Sequence, residues 1–137
     1  MTTLAKDSAR DFELGDIGEL PVIAADIIYE GAAVGDNASG YARPLVAADP
    51  FLGFAESNAD NSAGAAGAVN VRVREVGKVK LSVTGVTGVG DVGTDVYASD
   101  DNAFTLTTTS NTLIGTIVRY ISGTEVIVHF KSSARAA

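Results

Sequence analysis

The chain has 137 residues, enough for one domain with a buried core; 46% are apolar, none is Cys or Trp, and the formal net charge is −7. The missing cysteines exclude disulfides, thiolate chemistry and Cys-based zinc sites, and the apolar fraction excludes a disordered chain. No apolar run approaches the length of a membrane-spanning helix, and the acidic balance argues against nucleic-acid partners.

Residues 1–24 stand apart. The first twenty hold five carboxylates (Asp7, Asp11, Glu13, Asp16, Glu19) against Lys6 and Arg10. Their apolar residues Leu4, Phe12, Leu14, Ile17 and Leu20 follow no clean period of 2 or 3.6, and Glu19-Leu20-Pro21 would break a helix. The segment reads as a frayed, flexible arm or as one that orders on a partner with those apolar residues as anchors. It lacks the apolar stretch of a secretory signal, so synthesis is expected in a cytoplasm.

From residue 25 the pattern is β. Asp26–Glu30 is strand-like and leads through Gly31 into the turn-like run Gly35–Gly40. Tyr41–Leu45 and Phe51–Glu56 read as short strands, with Pro44 and Pro50 at edges or turns. Residues 57–68 form a polar, small-residue loop, and a short helix could lie within 45–50 or 57–66. Over 69–83, Val69, Val71, Val73, Val79, Leu81 and Val83 alternate with Arg72, Arg74, Lys78 and Lys80. That is one buried and one wet face, interrupted at Glu75-Val76-Gly77 by a bulge or tight turn. Asp95–Ala98 and Phe104–Thr108 flank the turn Ser99–Asn102, and Leu113–Ile121 and Thr124–Phe130 flank a hairpin turn at Ser122-Gly123. The result is an all-β domain over 25–132, a small barrel or sandwich of about eight to ten short strands, with a loose tail at 133–137.

Gly88-Val89-Gly90-Asp91-Val92-Gly93 has the spacing of a dinucleotide-binding fingerprint. A strand precedes it, but the following Thr-Asp-Val-Tyr is β-prone, and residues 102–124 contain no Asp or Glu to meet a ribose. Without a helix N-terminus there is no cradle for a pyrophosphate, so these glycines are expected to build a broad turn into the Asp95–Ala98 strand, and no cofactor is implied.

His129, the one histidine, lies in a strand and has no G-x-S-x-G partner motif. It reads as structural. Asn58-x-Asp60-x-Ser62-x-Gly64 resembles a calcium loop in spacing, but its Gly falls one position late and no Glu closes it, so no metal site is assigned. The four bases Arg72, Arg74, Lys78 and Lys80 form a stripe on one sheet face, either solvated or meeting an acidic partner or subunit. No catalytic constellation emerges, which favours a structural or binding role over an enzyme.

Several motifs follow one another along the chain. IIYEGAAVG and GYARPL come first, then FLGFAESNADNSAGAAG and VRVREVGKVKLSV, then GDVGTDVYASDDNAFTLT and NTLIGTIVRYISGTEVIVHF. Over residues 27–130 this ordered set resembles the decoration (cement, head-stabilising) proteins of tailed-bacteriophage capsids. The resemblance implies a non-enzymatic homotrimer on the outer surface of the virion. It would clamp neighbouring major capsid subunits of the expanded shell, with no nucleic-acid or membrane partner. It also implies an arm that orders on the shell, which gives Leu4, Phe12, Leu14, Ile17 and Leu20 the role of capsid anchors. A different class, a β-barrel ligand- or carbohydrate-binding module, is the alternative. It would need aromatic platforms, and the chain has only Tyr29, Tyr41, Tyr97 and Tyr120 besides its phenylalanines. An enzyme would need a carboxylate pair drawn from Asp91, Asp95, Asp100 and Asp101, which turn positions already explain.

Overall fold

The computed structural model describes residues 16–133 together with Ala5, Lys6 and Ala9. Twelve strands appear in it, more than the sequence suggests: β1 (Ile17–Pro21), β2 (Asp26–Ile28), β3 (Ala33–Asp36), β4 (Ala42–Pro44), β5 (Phe51–Ala55), β6 (Ala59–Asn61), β7 (Asn70–Arg74), β8 (Val76–Thr84), β9 (Asp95–Ala98), β10 (Phe104–Thr105), β11 (Thr112–Ser122) and β12 (Glu125–Lys131). Among the described residues the one helical element is a 3-10 turn, Val89–Asp91. Neither 45–50 nor 57–66, where a short helix could have lain, is helical. The first stretch is a turn held by Asp49, and the second contains β6, which pairs with β2.

The strands make a five-stranded sheet in the order β1-β7-β5-β3-β4, a closed barrel in the order β10-β8-β12-β11-β9, and the two-stranded ribbon β2-β6. All barrel pairings are antiparallel except β10 with β8. The barrel is the closed form of the small all-β architecture, and closure removes most of the edges that would otherwise aggregate.

Sheet and barrel share one run of chain. The β7 burial alternates strictly, with Val71 and Val73 inward and Arg72 and Arg74 outward. Instead of turning at Glu75-Val76-Gly77, the chain continues and changes partners. The Glu75 amide donates to the Asp16 carbonyl beside β1, and the Glu75 carbonyl accepts from the Ser132 amide at the end of β12. β1 and β12 thus lie end to end along one flank of β7–β8.

Two hydrophobic cores flank this run. One fills the barrel with Val83, Val96, Ile114, Ile117, Val126, Val128 and Phe130, and admits Phe51 and Phe54 from the sheet. Phe54 packs edge-on to Phe130 (4.9 Å between ring centroids) and to Phe51 (5.4 Å), and lies 6.0 Å from Phe104. Such pairs add to the area they bury. The other core holds Val22, Ile28, Val34, Val71 and Val73, capped by partly buried Leu20. Gly53, with φ near +131°, lets β5 cross β7 closely, since a Cβ there would run into the Arg74 carbonyl.

The boundary drawn at residue 24 moves. Ile17–Pro21 pairs antiparallel with β7, Ile17 opposite Arg74 through Pro21 opposite Asn70. The last part of the proposed arm is therefore the edge strand of the sheet, and its Pro21, lacking an amide donor, sits at the strand's end as edge chemistry allows. At the other end, Ser133 is held by its amide on the Phe51 carbonyl at 2.8 Å, and residues 134–137 lie outside the described residues.

Candidate interaction surfaces

The basic stripe is divided between two sheets. Arg72 and Arg74 project from β7, and Lys78 and Lys80 from the barrel strand β8, so they do not share one sheet face. Two carboxylates lie among them: Glu56 is 3.7 Å from Arg72 and 3.5 Å from Arg74, and Glu125 is 3.4 Å from Lys80. These pairs are exposed and contribute little to stability, but they reduce the net positive field the stripe presents.

Of the five apolar arm positions, Leu4, Phe12 and Leu14 lie outside the described residues. Leu20 is half-buried in β1 and packs against the second core. Ile17 is half-buried in β1 opposite Arg74.

The glycine-rich motif forms the broad turn its neighbours require. Asp91 closes it, its carboxylate accepting from the Thr87 amide at 2.7 Å and the Gly88 amide at 3.2 Å. Those amide donors, Thr87 first, hold the Asp91 carboxyl below the usual range. Gly93 then ties the turn to β11, its amide donating to the Ile117 carbonyl at 2.8 Å, and β9 begins at Asp95. The turn leaves Val89 and Val92 exposed beside β11, which itself exposes Val118 and Ile121.

His129 is exposed on β12, opposite Lys78 on one side and Thr116 on the other. The Asn58–Gly64 stretch is an Asx turn, with the Ser62 amide and hydroxyl both on Asp60 Oδ1 at 2.9 and 2.6 Å. Neighbouring Asn61 is buried, and its Nδ2 donates to the Ile23 and Ala65 carbonyls, tying the loop to the chain after β1. Among the described residues no group of three or more His, Asp or Glu could hold a metal ion.

At the sheet–barrel junction a groove opens between Glu30-Gly31 and the start of β8, lined also by Phe54, Arg74, Lys78 and Val79. A second depression adjoins it, with Tyr29, Asp101 and Asn102 on its walls. Tyr29 is 61% exposed, whereas the other three tyrosines are half-buried. Burial raises the Asp101 carboxyl above its ordinary range, with the charges of Asp100 and Asp26 adding to it.

Searches against protein-family models, curated proteins and solved structures find no match to this chain.

Proposed function

We propose that this protein is a non-enzymatic structural protein that binds the outer face of an assembled phage capsid and stabilises the expanded shell. The observation that carries the reading is the set of exposed apolar residues on the Val89–Asp91 turn and on β11, with Val89 75%, Leu113 52%, Val92 46% and Val118 41% exposed on an acidic chain. Adjoining exposed apolar residues on a β domain are what a protein–protein contact uses. The ordered motifs over 27–130 fall on strands of this one β body, which supports the same class.

Cementing needs no chemistry. A homotrimer would multiply three modest contacts through effective concentration, and preferential binding to the expanded state would stabilise it by mass action. Co-sedimentation with expanded shells built of the cognate major capsid protein tests the reading. Wild-type chain should pellet at saturable stoichiometry, and Val89→Asp with Val92→Asp should remain in the supernatant while still folded. Wild-type chain left in the supernatant would defeat it.

One observation favours a second reading, a carbohydrate- or ligand-binding module: exposed Tyr29 stands beside Asp101 and Asn102 in one depression. A ring face flanked by polar side chains suits a sugar. Glycan-array binding abolished by Tyr29→Ala would favour that module over the cement.

A further inference from the structure

Strand β8 pairs fully along one flank and briefly along the other. In an antiparallel ladder, alternate residues direct N–H and C=O to opposite sides. The Val83 amide donates to the Thr124 carbonyl, and β12 faces β8 from Val76 to Ser82. Odd-numbered residues of β8 therefore bond β12, while Lys78 and Lys80 direct their backbone groups to the other flank. There β10 meets β8 at Val83 and Thr84. Among the described residues no strand pairs with Lys78 or Lys80 on that side. Side-chain burial follows the same boundary: Val83 is fully buried, whereas Val79 and Leu81, which point the same way, stay half-exposed.

The side chains on this edge define what pairs with it. Lys78 and Lys80 point outward, Val79 and Leu81 inward. Lysines on an edge strand oppose pairing with a copy of the same edge. Two such edges set antiparallel about Val79 would place Lys78 opposite Lys80 twice, and like charges directly opposite are destabilising. The same lysines favour carboxylates. Lys131, exposed on β12 opposite Val76, adds positive charge to this outer face, and Glu125, 3.4 Å from Lys80, offsets part of it. On the inner side the groove offers Phe54, Val79 and Phe130, and its other wall includes Gly31, where a side chain would meet open space. The groove's carboxylates, Glu30 and Glu56, lie across from the edge, and Glu56 is paired with Arg74 at 3.5 Å.

We infer that the Lys78–Leu81 edge of β8 takes up, as an added strand, an extended segment of another protein in which acidic and apolar residues alternate. Its acids pair with Lys78 and Lys80 on the outer face, and its apolar residues cover Val79 and Leu81, because residues opposite one another share a face in either strand direction. Main-chain bonds to Lys78 and Lys80 supply affinity, and the alternating side chains supply specificity. The site uses none of the exposed valines at Val89 and Val92, so it stands whether or not those residues meet a capsid.

The probe is a capped synthetic peptide alternating glutamate and valine, with a lysine–valine counterpart as control, added to the full-length chain. In the free chain the Lys78 and Lys80 amides should exchange with solvent about tenfold faster, or more, than those of Val79 and Leu81, which bond β12. The glutamate peptide should bind saturably and slow exchange at Lys78 and Lys80, and the lysine peptide should not bind. Lys78→Glu with Lys80→Glu should weaken the glutamate peptide about tenfold, through the loss of two opposite-charge pairs, and should bind the lysine peptide instead. No saturable binding of the glutamate peptide, equal binding of both peptides, or binding that leaves exchange at Lys78 and Lys80 unchanged would overturn the inference. So would slow exchange of those two amides in the free chain. Protection independent of concentration would mean that the chain covers its own edge, and protection that rises with concentration would mean that a second copy does.

Discussion

Arg43 grips Asp49 with both arms of its guanidinium, Nε on Oδ2 at 2.9 Å and Nη2 on Oδ1 at 2.7 Å. The Val46 amide donates to the same carboxylate at 3.0 Å, and the Thr112 hydroxyl donates to the Asp49 carbonyl at 2.7 Å. One acidic residue thus pins the 45–50 turn to the sheet on one side and to barrel strand β11 on the other. Burial pushes the Asp49 carboxyl up, but the Arg43 hydrogen bond and the Val46 amide outweigh it and hold the group below its ordinary range.

A lowered carboxyl contributes stability that is present above the unfolded-state pKa and lost as pH falls through the folded value. Asp49→Asn should therefore cost about 2 kcal/mol at pH 7, the order of a charged hydrogen-bonded pair. The difference from wild type should shrink well below pH 4. Urea unfolding at pH 7 and pH 3 measures both.

Asp101 should behave in the opposite sense. Its raised carboxyl makes the ionised form a liability in the folded state, so its contribution is best at low pH and declines as pH rises from the unfolded value through the folded one. Asp101→Asn should raise the melting temperature at pH 7 and have no effect near pH 3. The Ala33 amide bonds the Asp101 main-chain carbonyl, so the substitution leaves that link intact.

Phe130 joins the barrel to the sheet through Phe51 and Phe54. Phe130→Ala should cost about 3–5 kcal/mol, the range for emptying a large aromatic site. A double-mutant cycle with Phe51→Leu and Phe130→Leu should return a coupling of about 0.5–1.5 kcal/mol. A coupling near zero would mean that the two lobes merely adjoin.

Two glycines should respond very differently to the same change. A Cβ on Gly115 would run into the His129 carbonyl on the paired strand, whereas one on Gly90 meets nothing within 4 Å. Gly115→Ala should cost about 3 kcal/mol or more, and Gly90→Ala should stay within about 0.5 kcal/mol. Thermal melts of the two variants check this. Gly90 is thus one of three in the G-x-G-x-x-G spacing, yet no close approach requires it.

Some of this was legible in the residues. The Asp95–Ala98 strand was bounded by a glycine turn and an Asp-Asp-Asn turn, and it forms over those four residues. The alternation around Val71, Val73 and Val83 gave the correct inward face. What the alternation could not reveal is that β7 and β8 belong to different sheets, because a strand that changes partners at Glu75 keeps the same parity as one that does not. β1 escaped notice for a related reason. Ile17–Pro21 is an edge strand with no fully buried residue, so its side chains carry no clear period. The signal that could have found it is cross-strand charge, since Glu19 lies opposite Arg72. The surface around Val89 and Val92 was hidden because a valine in a glycine-rich turn looks the same whether it faces a core or solvent.

The run from Asn70 to Thr84 threads both cores without interruption. Neither lobe can detach while the other keeps its central strand, because letting go of one end of that strand loosens the other. In native-state hydrogen exchange the amides of Val73 and Val83, in different sheets, should therefore open together in a single event at the full unfolding free energy. A single opening event would make the two cores one cooperative unit, in which a tug on either sheet is resisted by the whole domain.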